Sequence, residues 1–308
     1  MQVPVPFDLA RTVRSHGWYD LPPWRWDPGR QLLGLPLRLS TGRVVLAEVA
    51  PTAGGGGLAF RLAAAGRAGA AELAEARAGL RGCLSLDLDL EPFRRRLEAL
   101  SREGSERPEL PVLRQALDLG GGRLLRSPTV FEDAVKTLLT TNCSWALTRS
   151  MATRLVDVLG RPAPGDARTF PTAEDMAGQG ERFYRARIRA GYRAPFLVAL
   201  SRRAASGALD LESWRDPSLP EAELERRIRG LAGFGPYATD HLLRLLGRHS
   251  RLALDAWNRK KLASLRGRRR PPSDRTLHRW YAPWGEWAGL AMWLEATADW
   301  HDAPGRPW

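Results

Sequence analysis

The sequence predicts an α+β protein. A small antiparallel sheet with accompanying helices is expected over residues 1–105, and an all-helical region over 106–308. Three observations predict it. Alternation of apolar and polar residues, punctuated by Gly and Pro, is confined to the first third of the chain. From residue 128 onward, apolar residues recur at helical spacing. Within that region, residues 221–261 hold two helical runs joined by the short turn Leu231-Ala232-Gly233-Phe234-Gly235-Pro236.

The elements follow in order. LPLRLSTGRVVLAEVAP and LAFRLAAAG read as strands, AELAEARAGLRG at 71–82 as an amphipathic helix, and LSLDLDL at 84–90 alternates strictly. The polar, Pro-punctuated SREGSERPELP at 101–111 reads as a join. Pro128-Thr129 opens a helix over 130–140, and Ser144 opens another that stops at Gly160. A Pro/Gly-rich loop covers 161–172. Helices are then expected near 181–206, 220–231, 236–247, 255–265 and 284–299, with the basic linker RGRRRPP at 266–272.

Charge narrows the function classes. Lys plus Arg is 47 against 34 Asp plus Glu, a net charge of +13. All but three of the cations are arginine, the exceptions being Lys136, Lys260 and Lys261. Arg over Lys reflects codon usage as readily as function, but the excess of positive charge favours a polyanionic partner, nucleic acid ahead of an anionic membrane surface. No apolar run approaches the ~20 residues of a membrane span, and the first residues lack the pattern of a signal peptide. Two cysteines, Cys83 and Cys143, cannot build a disulfide framework, so a cytoplasmic location is expected.

The turn at 231–236 carries its own chemistry. Gly233 and Gly235 allow positive φ and close backbone approach, and Pro236 suits the first turn of a helix. The free N–H groups of that helix start can seat a phosphate, although a plain structural hairpin has the same composition. Asp255 closes the apolar stretch LALDAW, twenty residues after Gly235. A lone Asp before a helix is commonly an N-cap. A protected carboxylate can also stabilise positive charge that develops during a reaction.

These residues, taken together, resemble the helix-hairpin-helix DNA glycosylases. The segment 121–160 is similar to the first helical pair of 8-oxoguanine DNA glycosylases and of bacterial 3-methyladenine DNA glycosylase II. RIRAGYRAPFLVAL at 187–200 resembles the Gly-Tyr-Arg-Ala segment of the former, and WYAPWGEWAGLAMWLEA at 280–296 their final helix. The resemblance covers most of the chain, with its motifs in order. It implies that Gly233, Phe234 and Gly235 grip backbone phosphate and that Asp255 is catalytic. It also implies that Asn142 fills the gap left by an extruded base, and that Tyr192 wedges into the duplex with Arg193 beside it. Lys260 is read as a phosphate contact. A monovalent cation on the hairpin carbonyls is implied by the resemblance alone.

Three departures shape the expected mechanism. Tyr237 stands where the family's strand-cutting members carry a lysine nucleophile, so a monofunctional enzyme is expected, using water and leaving an abasic site. Gly289 stands where 8-oxoguanine enzymes place a base-reading glutamine, and Trp293 where they place a stacking phenylalanine. With His241, Trp257 and Trp145, these residues predict an aromatic base pocket suited to electron-poor alkylated purines, although core packing is the ordinary fate of any one tryptophan. The two cysteines are too few for the iron–sulfur cluster of some relatives, the five histidines are scattered, and neither a metal nor an organic cofactor is expected. The expected partner is double-stranded DNA holding a damaged base, bound by a monomer associated with a bacterial-type nucleoid. The rival readings are an 8-oxoguanine-type glycosylase, a strand-cutting lyase, and a non-catalytic helix-hairpin-helix DNA-binding protein.

Overall fold

The computed structural model describes residues 1–301 apart from Gly55 and Ser105. Four strands, β1 (Arg25–Asp27), β2 (Leu32–Arg38), β3 (Val44–Pro51) and β4 (Leu58–Ala63), form an antiparallel sheet in sequence order. Register follows the alternation: Leu33, Leu35 and Leu37 of β2 lie opposite Val49, Ala47 and Val45 of β3, and all six are buried. Helix Ala70–Cys83 packs on this sheet.

The alternating run at 84–90 is not a strand. Ser85 takes a φ of 50°, and its hydroxyl donates to Leu124 O at 2.6 Å. The buried Arg123 guanidinium donates to Ser85 O at 2.7 Å and also to Leu88 O. A side chain satisfies these carbonyls, so no neighbouring strand is needed. The expected join at 101–111 instead separates two helices, Glu91–Arg102 and Glu109–Asp118.

Two apolar cores result. One joins the sheet to the helices between residues 130 and 246. The other joins Phe93, Leu97, Leu113 and Leu117 to Leu262, Tyr281, Trp284 and the last helix, Ala288–Ala296. The expected boundary at 105/106 therefore falls between two helices that share one core, and residues 302–308 lie outside the described residues.

Helices Val130–Thr140 and Trp145–Leu159 begin at side-chain caps from Thr129 and Ser144. The long helix expected at 181–206 is broken. A π-turn over Tyr184–Ile188 ends at Arg189 in the left-handed region, with φ 62°, and the helix restarts at Ala194–Ala205. The break exposes Tyr192. The hairpin helices are Glu221–Arg229 and Pro236–Leu245. A helix at Asp274–Tyr281, not expected from the spacing, follows the basic linker. No helix among the described residues is long and apolar enough to cross a membrane.

Candidate active site

The segment after the hairpin leads to Asp255, the N-cap of helix Ala256–Leu265. Its Oδ1 accepts from Asn258 N–H at 2.7 Å, and Asn258 Oδ1 accepts from Asp255 N–H at 3.0 Å. Asn258 Nδ2 also donates to Ala253 O at 2.9 Å. The reciprocal cap fixes the carboxylate's orientation. Cap and candidate catalyst are thus one residue. Burial pushes the Asp255 carboxyl above its usual range, opposed by the Asn258 amide and by the charge of Arg244.

Asp255 lines a cavity of about 320 Å³. Tyr237, His241, Trp257, Trp293 and Trp145 line it as well. So do His16, Gly17, Trp18 and Trp300, which sequence reasoning did not single out. The aromatic residues fall into two groups. In the first, Trp18 lies between His16 and His241, with ring centroids 4.8 and 5.1 Å away, and Tyr237 stacks on His241 at 5.9 Å. Trp18 Nε1 donates to Asp133 Oδ1 at 2.7 Å, and His16 Nε2 bonds to Leu125 O. Burial lowers His16 to about 3 and holds His241 well below its ordinary value, so both rings are neutral at pH 7. His241 Nε2 has no hydrogen-bond partner among the described residues.

The second group is Trp257, Trp293 and Trp300, with centroids 5.4–6.0 Å apart. Trp293 Nε1 donates to Ser15 O at 2.8 Å, and Arg244 lies 4.7 Å from the Trp293 ring centroid. Trp257 is 36% exposed. Trp145 bridges to the N-terminal segment, donating to Asp20 Oδ2 at 2.8 Å and packing its ring against Gly17.

Gly289 does not line this cavity. Its N–H donates to His249 O at 2.6 Å, and a Cβ there would collide with the Arg251 carbonyl. The glycine lets the last helix press onto backbone and leaves no gap for a base edge.

Asn142 and Tyr192 meet at the surface: Asn142 Nδ2 donates to Tyr192 Oη at 3.3 Å, and Tyr192 Oη donates to Thr141 O at 3.1 Å. Thr140 and Cys143, on either side of this loop in the chain, line the cavity. Arg193 departs from its expected place against DNA. It is 3% exposed and donates to Leu138 O at 3.1 Å and to Thr141 O, bracing the Tyr192 segment from inside. Gly233 has a φ of 89° and packs so that a Cβ would lie 2.8 Å from Phe196 Cγ. Phe234 is buried and donates its N–H to Leu231 O at 3.1 Å, while Gly235 caps the second hairpin helix. Lys260 is exposed. Among the described residues no three His, Cys, Asp or Glu side chains converge as metal ligands.

Neither the family models nor the curated proteins gave a match to this sequence. Solved structures do match. The 3-methyladenine DNA glycosylase from Archaeoglobus fulgidus has a TM-score of 0.76 at 19% identity, covering 99% of both chains. MBOgg1, solved with a low-affinity DNA ligand, has a TM-score of 0.70 at 18% identity, covering 96% of this chain and 93% of its own. The Clostridium acetobutylicum 8-oxoguanine glycosylase/lyase, solved with double-stranded DNA containing cytosine opposite 8-oxoguanine, has a TM-score of 0.62 at 19% identity, covering 94% and 93%. Over nearly its whole length, the chain therefore has the α+β fold of the helix-hairpin-helix DNA glycosylases.

Proposed function

We propose that the protein is a monofunctional DNA glycosylase that releases an alkylated purine. The observation that carries this reading is the single capped carboxylate, Asp255, at an aromatic cavity lined also by Thr140 and Cys143, from the same loop as the exposed Asn142, which bonds Tyr192. The hairpin turn at Gly233–Gly235 holds backbone phosphate, and Lys260 adds a further contact. The turn carbonyls would hold a monovalent cation if one binds, which would strengthen that grip; none of the chemistry runs through it. Tyr192 and Asn142 occupy the gap in the duplex and offset part of the unstacking energy, a few kcal/mol. The extruded base enters between the tryptophans. As the C1′–N bond breaks, its electron pair leaves with the base, and Asp255 stabilises the positive charge left on the sugar. Water attacks C1′ and passes its proton to the Asp255 carboxylate, leaving an abasic site.

Water is the nucleophile in this reading because no lysine among the described residues lines the cavity. Lys136 is buried in a 2.6 Å ion pair with Glu132, and Lys260 is on the surface. The aromatic lining favours a cationic base. An oxidised guanine is the second reading, favoured by the Asn142–Tyr192 pair.

A panel of duplexes carrying 3-methyladenine, 7-methylguanine, hypoxanthine, 8-oxoguanine or uracil tests both. Release of a methylated purine by wild type, its loss in Asp255→Asn, and strand nicking only after alkali are expected. Nicking without alkali together with a borohydride-trapped adduct overturns the monofunctional reading. Tight, salt-sensitive binding with no release, unchanged in the variant, overturns the enzyme.

A further inference from the structure

Arg244 is a charged side chain with no ion-pair partner at contact distance among the described residues. It projects from the second hairpin helix, is 2% exposed, and does not itself line the cavity. One Nη donates to Leu252 O at 2.9 Å, and its Nε has no hydrogen-bond partner among the described residues. Burying a cation this way is costly, and an apolar side chain of similar size removes the cost. The guanidinium therefore needs a reason to be there.

Its surroundings supply one. Leu252 lies three residues before Asp255, on the segment whose next residue, Ala253, has a φ of 50°. Ala253 O accepts from Asn258, which in turn exchanges two hydrogen bonds with Asp255. The Arg244 bond is thus the first of a short series that ends at the carboxylate. The guanidinium also stacks on Trp293, a wall of the same cavity.

We propose that Arg244 is the positioning residue of Asp255, clamping the 252–255 segment through the Leu252 carbonyl and supplying the buried positive charge against which the carboxylate stays negative. This rests on the reading of Asp255 as the working carboxylate. The groups that act on Asp255 are Arg244, Arg259, Tyr237 and the backbone amides of Asn258 and Trp257. Those that act on Arg244 are Tyr237, Asp240 and Asp255, and the neutral rings of His16, His241 and His249 pack nearby. A positive charge favours the ionised carboxylate, so removing it moves Asp255 titration to higher pH.

The test uses the full chain with Arg244→Met and Arg244→Lys. Single-turnover base release is followed across the acid-to-neutral range, and the Asp255 carboxyl is titrated by carbon NMR on ¹³C-aspartate-labelled protein, assigned with Asp255→Asn. In R244M the titration midpoint and the acid limb of release are expected to rise together by about one pH unit, with release recovering at higher pH. R244K is expected to restore most of the wild-type profile. An unchanged midpoint with release lowered equally at every pH overturns the proposal and leaves Arg244 a packing residue. Where R244M fails to fold, Arg244→Gln, which keeps a donor for Leu252 O without the charge, takes its place. If no duplex yields base while the midpoint still moves, the glycosylase reading falls and the coupling of Arg244 to Asp255 stands.

Discussion

The two aromatic walls of the cavity are built from the same kinds of side chain and differ in what holds them. Trp18 is 1% exposed and bonded to a buried carboxylate, and His16 and His241 beside it are neutral and enclosed. This wall is protein core that happens to border a hole. Trp257 on the other wall is more than a third exposed and leans on Trp293 and Trp300. In that wall Trp293 and Trp300 are largely covered and the face of Trp257 reaches solvent. A tryptophan's role in such a pocket is read from its N–H partner and its exposure, since residue type is the same in both.

Four experiments sharpen the contrast. The largest effect is expected between the walls. Asp255→Asn should lower single-turnover release by 10²–10⁴-fold, the range for loss of one acid–base or electrostatic group. Its stability should stay within about 1 kcal/mol of wild type in urea unfolding, because Asn caps helices as well as Asp. Trp18→Ala should cost about 3–5 kcal/mol in the same unfolding measurement, as removal of a buried aromatic does.

Acid should act on the first wall. His16 is held near 3 while its unfolded value is 6.5, so below pH 6.5 the unfolded chain binds a proton that the folded one refuses. Stability is then full above pH 6.5 and falls by about 1.4 kcal/mol per pH unit for each such histidine as the pH drops. Urea unfolding at pH 7.5 and 5.5 should show this fall, and His16→Gln should make it shallower. Trp257→Ala should have the smallest effect, under about 1 kcal/mol on stability and about tenfold on release, the size of one base–aromatic stack. A Trp257→Ala protein as unstable as Trp18→Ala would erase the distinction between the walls.

The features legible in the sequence are those set by local spacing. The caps Thr129 and Ser144, the hairpin turn and the twenty-residue interval from Gly235 to Asp255 all depend on near neighbours. What was hidden depends on distant ones. LSLDLDL alternates like a strand, but Arg123 takes its carbonyls. Arg193 follows an exposed Tyr192 and is itself buried beneath that ring, its guanidinium bonded to the 138–141 backbone. Gly289 occupies a position suggestive of base reading and is pressed against His249 and Arg251. His16 and Trp18 sit in a segment with no periodicity to mark them, and reach Asp255 only because the sheet region docks on the helices. Periodicity reports which face of its own element a residue takes, and is silent on what arrives from elsewhere in the chain.

The bond from Trp293 Nε1 to Ser15 O ties together residues 278 apart in sequence. Translation therefore supplies the residues of the cavity at widely separated moments. A nascent chain that has emerged through residue 245 contains the sequences of both hairpin helices, Asn142 and Tyr192, but not Asp255. The second wall does not exist until residues 293–300 have been made and the early segment has met them. A fragment ending before the last helix would lack Trp293 and Trp300, and with them most of the second wall of the cavity.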